Sequence, residues 1–159
     1  MFKVGDMAVY PTQGVGVIEE IEKREYSGQS QRFYILKIVD SDMKIMVPVH
    51  NAVHVGLRRL VDQQRIAGVF DALAEPRARV KVASWSRRQR EYNDKLKTGD
   101  LLDVAEVLRD LYRIGSGKEL SYGEKKVLEQ ARKLLVSEVA LAEGAQETQV
   151  EQRLESIFH

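Results

Sequence analysis

Apolar residues in the first 60 positions come in short runs bounded by Gly, Pro, Ser and Asp; after Leu60 they recur every three or four residues instead. The first texture predicts strands. Residues 7–10 form one, ended by Pro11-Thr12-Gln13-Gly14, and residues 15–21 a second. A turn around Ser27-Gly28 leads to a third at 32–39, and Asp40-Ser41-Asp42 turns the chain into a fourth at 43–49. A short fifth strand is expected near 55–57. So few short strands with tight turns suit a small barrel or a strongly bent sheet, closed on itself or leaning on a partner.

The second texture predicts helices. Ile66, Val69, Phe70 and Leu73 mark one over 62–74, which Pro76 ends. Ser84 is placed to cap a helix running to Lys97, with Gly99 as its stop. Asp100 caps the next, whose stripe is Leu101, Val104, Ala105, Leu108 and Leu111, and Gly115-Ser116-Gly117 is expected to break it. Ser121 with Glu124 reads as a capping box. The helix it opens carries Val127, Leu128, Ala131, Leu134, Leu135 and Leu141, and Gly144 closes it. Thr148 with Glu151 repeats the box ahead of Val150, Leu154, Ile157 and Phe158. The expected fold class is α+β: a β-rich domain over 1–60, then an all-α bundle of about five helices over 61–159.

Composition removes several classes of function. The 159 residues are 43% apolar, but no run is long enough to span a membrane. The start Met1-Phe2-Lys3-Val4-Gly5-Asp6 has no signal-peptide core, and cysteine is absent, so a cytoplasmic protein is expected, without disulfides or thiol chemistry. Gly14-Val15-Gly16 precedes a strand where a phosphate loop needs a helix, so it reads as a turn. His50 and His54 stand four apart with no third ligand, so no metal site is expected. No nucleophile–base arrangement or carboxylate pair is legible. The chain is expected to be neither an enzyme nor a cofactor carrier, with no small-molecule substrate.

Charge changes the picture most. The whole chain is +1, yet residues 77–97 hold eight bases against Glu91 and Asp94, a formal +6, which leaves −5 for the rest. The only tryptophan, Trp85, lies in that stretch, beside Arg87, Arg88 and Arg90. Two readings of Trp85 stand. Spacings of 7 and 4 place it on one helical face with Tyr92 and Leu96, as a core residue would be. Its place in a first helical turn, among bases, also suits a ring that stacks on an unpaired base or wedges a duplex step. The bases likewise read either as a solvated helix face or as a phosphate-contacting patch. In the strand at 43–49, Pro48 cannot donate to a ladder and points to an edge position, where Met46 could meet a partner.

The chain resembles the CarD family of bacterial transcription regulators, and its CdnL branch in particular, over nearly its whole length. The resemblance rests on Phe2-Lys3-Val4-Gly5-Asp6, Val9-Tyr10-Pro11 with Gly14, Phe33-Tyr34-Ile35-Leu36-Lys37 and Ile45-Met46-Val47-Pro48. In the second half it rests on Ser84-Trp85-Ser86-Arg87-Arg88, the segment from Ala105 to Leu111, and Leu120-Ser121 with Gly123-Glu124-Lys125. It implies a Tudor-like first domain that binds the β subunit of RNA polymerase. It also implies a helical second domain that contacts promoter DNA in the minor groove at the upstream edge of the bubble. There it would stabilise the open complex formed with housekeeping sigma factor. By motif position Trp85 is the wedge, Arg87, Arg88 and Arg90 contact DNA, and Arg24, Met46 and Pro48 face the polymerase. Some members carry arginine where this chain has Met46, so its polymerase contact is expected to be more apolar. The implied protein is a monomer, located on the nucleoid through the polymerase, with no membrane partner. Two other functions fit the residues: an architectural protein that binds DNA alone, and an adaptor whose basic patch meets an acidic protein.

Overall fold

The computed structural model describes residues 1–76 and 85–158, and of Trp85 the backbone only. It has the expected α+β class, and the chain divides into two compact units, Met1–Leu60 and Val61–His159.

In the first unit β1 (Met7–Tyr10), β2 (Gly14–Tyr26), β3 (Gln29–Ile38) and β4 (Lys44–Pro48) form an antiparallel meander in chain order, curled into a half-barrel. Alternation along the strands sends Ala8, Ile18, Tyr34, Leu36, Ile38 and Val47 to one buried face. Phe2 packs edge-on against Tyr34 with ring centres 5.7 Å apart, and its N–H donates to the Tyr34 hydroxyl at 3.1 Å. The β2–β3 hairpin closes on the pair Tyr26 and Gln29 through Ser27 (φ 49°) and Gly28 (φ 80°). Two successive positive φ values make the tight loop whose twist matches the strands, and glycine adopts one of them without a Cβ clash.

The fifth strand expected near 55–57 is not formed. After a single 3-10 turn at Val49–Asn51 the chain runs through tight turns, with Ala52 and Leu57 buried in the sheet's core. Only Arg58 pairs with a strand, exchanging two backbone hydrogen bonds with Val9 at 2.7 and 3.2 Å. The apolar residues of this stretch plug the curl instead of extending it. β2 also runs five residues beyond the expected end at Ile21, through a polar stretch whose hydrogen bonds come from β3.

In the second unit α1 (Gln63–Ala74), α2 (Trp85–Lys97), α3 (Leu101–Gly117), α4 (Tyr122–Glu143) and α5 (Glu147–Phe158) share one core. α3 is central and packs on α1, α2 and α4 through Leu101, Val104, Ala105, Val107, Leu108 and Leu111. Asp62 caps α1 by accepting from Arg65 N–H at 2.8 Å, and Asp100 caps α3 by accepting from Leu102 N–H at 3.0 Å. Val61, where the unit begins, donates its N–H to the buried carboxylate of Glu138 at 3.0 Å.

Three local expectations are corrected here. α3 runs through Gly115 and Ser116 and ends only at Gly117, the last residue of the triplet expected to break it. The Ser116 hydroxyl donates back to Arg113 O at 2.8 Å, and Gly115 leaves room for Leu120. α5 begins at Glu147, so Thr148 lies inside it and no box forms there; Gln149 Oε1 instead accepts from the Gln146 N–H at 3.1 Å. On α4 the residues toward the C-terminal end are all buried from Leu135 to Ala140, Ser137 and Glu138 included, whereas Leu141 is only half-buried. The expected cap Ser84 lies outside the described residues.

Candidate functional site: the outer sheet face and the basic helix

Strand register decides which side chains share the outer face of the first unit. Pro48 lies opposite Phe33, which lies opposite Glu22; Met46 lies opposite Ile35, which lies opposite Glu20. Arg24 lies opposite Gln31 in the next row. Directly paired residues point to one face, so Arg24, Met46 and Pro48 stand on the same side, in three successive rows about 7 Å apart. The middle of that face is apolar. Tyr26 meets Phe33 edge-on at 6.2 Å, and Met46 is 41% exposed beside the half-buried Ile35 and Pro48. Charges rim it: Arg24 Nη2 lies 2.9 Å from Glu22 Oε2, and Lys44 Nζ lies 3.2 Å from Glu19. Hydrogen bonding to Tyr26, then to Glu22, raises the Arg24 pKa further and keeps it a cation. Such exposed pairs are screened by solvent and weak, so a partner can exchange them at little cost. β4 is an edge strand of the sheet, whereas the other edge strand, β1, is partly covered by the Arg58 pairing.

In the second unit the bases of α2 divide by flank. Tyr92 and Leu96 point into the core. Burial raises the Tyr92 pKa, and the charge of Asp110 pushes it the same way, against a hydrogen bond from Arg88. Arg87, Arg90 and Lys97 are exposed. Arg88 and Lys95, seven residues apart on another flank, meet carboxylates of neighbouring helices. Lys95 Nζ lies 2.9 Å from Glu106 on α3, and Arg88 Nη1 lies 3.4 Å from Glu124 on α4.

The two ion pairs are not equivalent. Both members of the Lys95 pair are about one-third exposed, whereas the Arg88 side chain is 12% exposed and that of Glu124 2%. Removing Arg88 leaves the buried Glu124 carboxylate one cation fewer, so Arg88 is held more firmly than an exposed base. Glu124 has a further task. Its Oε1 accepts from Ser121 N–H at 3.0 Å while its own N–H donates to Ser121 Oγ at 3.2 Å, which forms the expected capping box of α4. Burial raises the Glu124 pKa, but the Ser121 hydrogen bonds and the charges of Lys118 and Arg88 outweigh it, and the net shift is downward. The carboxylate is therefore ionised at neutral pH.

Trp85 is the first residue of α2, and its side chain lies outside the described residues, as do Arg77, Arg79 and Lys81. The sequence reading missed two features. Glu124 was visible only as a cap, because its ion pair joins residues 36 apart in the chain. Tyr122, 83% exposed at the start of α4 beside that cap, was not singled out; an aromatic next to a capping serine was the available signal. Among the described residues no group of three or more His, Asp or Glu could hold a metal ion, and no helix is long and apolar enough to cross a membrane.

A curled sheet with an apolar, charge-rimmed outer face and a helical unit with a basic helix define a two-module protein built around surfaces. The chain belongs to the CarD family of transcription regulators: the family model described as "CarD-like/TRCF RID domain" matches residues 2–61, and "CarD, C-terminal domain" matches 68–155. It is 33% identical over 150 residues to "Putative transcription factor YdeB" of Bacillus subtilis (strain 168), covering 94% of this chain and 97% of that one. A solved structure, CdnLNt from Myxococcus xanthus, is 48% identical over 40% of this chain and 89% of its own, with a TM-score of 0.34.

Proposed function

We propose that the protein binds the β subunit of RNA polymerase through Arg24, Met46 and Pro48 on the outer sheet face. In the same proposal the helical unit stabilises the promoter open complex at the upstream edge of the bubble, in the minor groove. Trp85 is the wedge there, and Arg87 and Arg90 are phosphate contacts, while Arg88 lies on another flank of the same helix, against Glu124. The observation that carries the first half is the register, which gathers three residues from two separate strands onto one exposed face within a domain of the RID type. The second half is supported by the C-terminal family match over α2 and by the exposure of Arg87 and Arg90.

The energetics favour a tethered factor over a solitary one. The whole chain is only +1, so bulk attraction to DNA is weak. Anchoring on the polymerase raises the local DNA concentration to the order of mM, at which a weak patch becomes occupied. Opening a base step costs about a few kcal/mol, and at a bubble edge the polymerase has already supplied it. A ring lodged there acts on the melted state alone, and a net gain of ~1.4 kcal/mol shifts the open-state equilibrium about tenfold.

The test is Trp85→Ala in an open-complex decay assay with polymerase and housekeeping sigma factor. The variant should keep its thermal transition and its hold on the β subunit while open complexes decay faster. An unchanged lifetime refutes the wedge. Unfolding of the helical unit returns Trp85 to the core.

A further inference from the structure

We infer that Arg88 is a positioning residue: the buried Arg88–Glu124 ion pair clamps the first turns of α2 to the capped start of α4, and so aims Arg87 and Arg90 at DNA without touching it. This rests on the reading of α2 as the DNA-facing helix. Sequence adjacency groups Arg87, Arg88 and Arg90 as one patch, but the structure separates them. A step of one residue turns a helix by about 100°, so Arg88 leaves the flank of its neighbours and comes round beside the buried Tyr92. Its guanidinium is 3.4 Å from Glu124 Oε2, and with the side chain only 12% exposed little of it is left to meet a phosphate.

Glu124 is suited to such a clamp because its two oxygens serve different elements. Oε1 accepts from the backbone N–H of Ser121, which fixes the carboxylate to the start of α4. Oε2 faces Arg88 and so joins that fixed point to α2. Lys118 Nζ, 3.7 Å from Oε1, adds a second cation from the segment just ahead of α4. α2 begins at Trp85, three residues before the clamp, so the turn that carries Trp85 and Arg87 is the one the clamp orients. Lys95 and Glu106 repeat the arrangement two turns further on, against α3, with a more exposed and weaker pair.

Counterion release separates a phosphate contact from a positioning residue. Each phosphate neutralised adds about −0.9 to the slope of log K against log salt. Binding of the full chain to a short labelled DNA duplex, measured at several salt concentrations from low salt upward, gives that slope for each variant. Arg90→Gln should weaken binding and reduce the slope by about 0.9, as a contact must. Arg88→Gln should weaken binding several-fold at an unchanged slope. The double variant Arg88→Gln with Glu124→Gln replaces the ion pair by a neutral amide pair and keeps a residue type that supports the capping box. It should recover most of the lost affinity, again with the wild-type slope. A slope reduced by about 0.9 in Arg88→Gln, or a double variant no better than the single one, overturns the inference. If instead the wild-type chain shows no salt-dependent binding even with duplex raised to about mM, the concentration that tethering supplies, the reading of α2 as a DNA helix fails, and the inference falls with it.

Discussion

Met46→Asp is the sharpest probe of the outer sheet face, because β4 carries its own control at the next residue. Alternation places Met46 outward, 41% exposed, and Val47 inward, 2% exposed, one position apart. Fully burying a methionine side chain contributes about 1.5–3 kcal/mol. With roughly two-fifths of that surface still exposed, a partner covering it gains about 0.6–1.2 kcal/mol. Met46→Ala should therefore weaken binding to the polymerase β subunit only about three- to eightfold. An aspartate brings a carboxylate into an apolar contact without a partner and adds roughly 3–5 kcal/mol, a loss of more than 100-fold. The side chain projects away from the core, so the stability of the first unit should change by no more than ~0.5 kcal/mol. Val47→Asp should instead unfold that unit, by burying a charge among Tyr34, Leu36 and Ile45. Calorimetric titration with the isolated β subunit, beside thermal unfolding of both variants, checks the pair. Met46→Asp binding like wild type, or melting like Val47→Asp, refutes the register-based argument.

Other predictions follow from single contacts. Gly16→Ala should destabilise the first unit by at least about 1–3 kcal/mol in chemical denaturation, because its Cβ would lie 2.6 Å from Leu36 Cγ and 2.9 Å from the Lys37 carbonyl. Leu108→Ala, at the fully buried centre of α3, should cost about 2–5 kcal/mol by the same measurement. Ser121→Ala removes the hydroxyl half of the capping box and should cost about 0.5–2 kcal/mol, read as a lower melting temperature. The Glu124 carboxyl has a folded pKa below its ordinary 4.5, so its stabilising effect is present above that pH and is lost as pH falls through the lower folded value. The gap in melting temperature between wild type and Glu124→Gln should be full at neutral pH and close in acid; a gap that widens below pH 4.5 contradicts that sign.

What could be read in advance was local. β1 was expected at its observed limits, and the caps at Asp100 and Ser121 were legible because each involves bonds within three residues. Elements that depend on a distant partner were misjudged. The polar half of β2 is a strand only because β3 supplies its hydrogen bonds, and the segment after Asn51 is not one because Ala52 and Leu57 fill the core. Gly115 stays helical, packed beside Leu120, although glycine costs about 1 kcal/mol in a helix interior, and the chain leaves the helix only at Gly117. The same limit applies to the sites. The charge cluster on α2 was plain, but its division into exposed Arg87 and Arg90 and clamped Arg88 depends on a carboxylate from another helix. Arg24 joins Met46 and Pro48 only through strand register.

The grip of Glu138 on the Val61 amide says where the polypeptide tolerates a cut. Severed between Leu60 and Val61, the C-terminal fragment starts with an ammonium group where the amide stood, so the sunken carboxylate meets a positive charge in place of a neutral donor. A fragment begun a few residues later deprives Glu138 of that donor and of the Asp62 cap as well, and should be weaker by about 1–3 kcal/mol. The helical half is thus best excised with Val61 as its first residue.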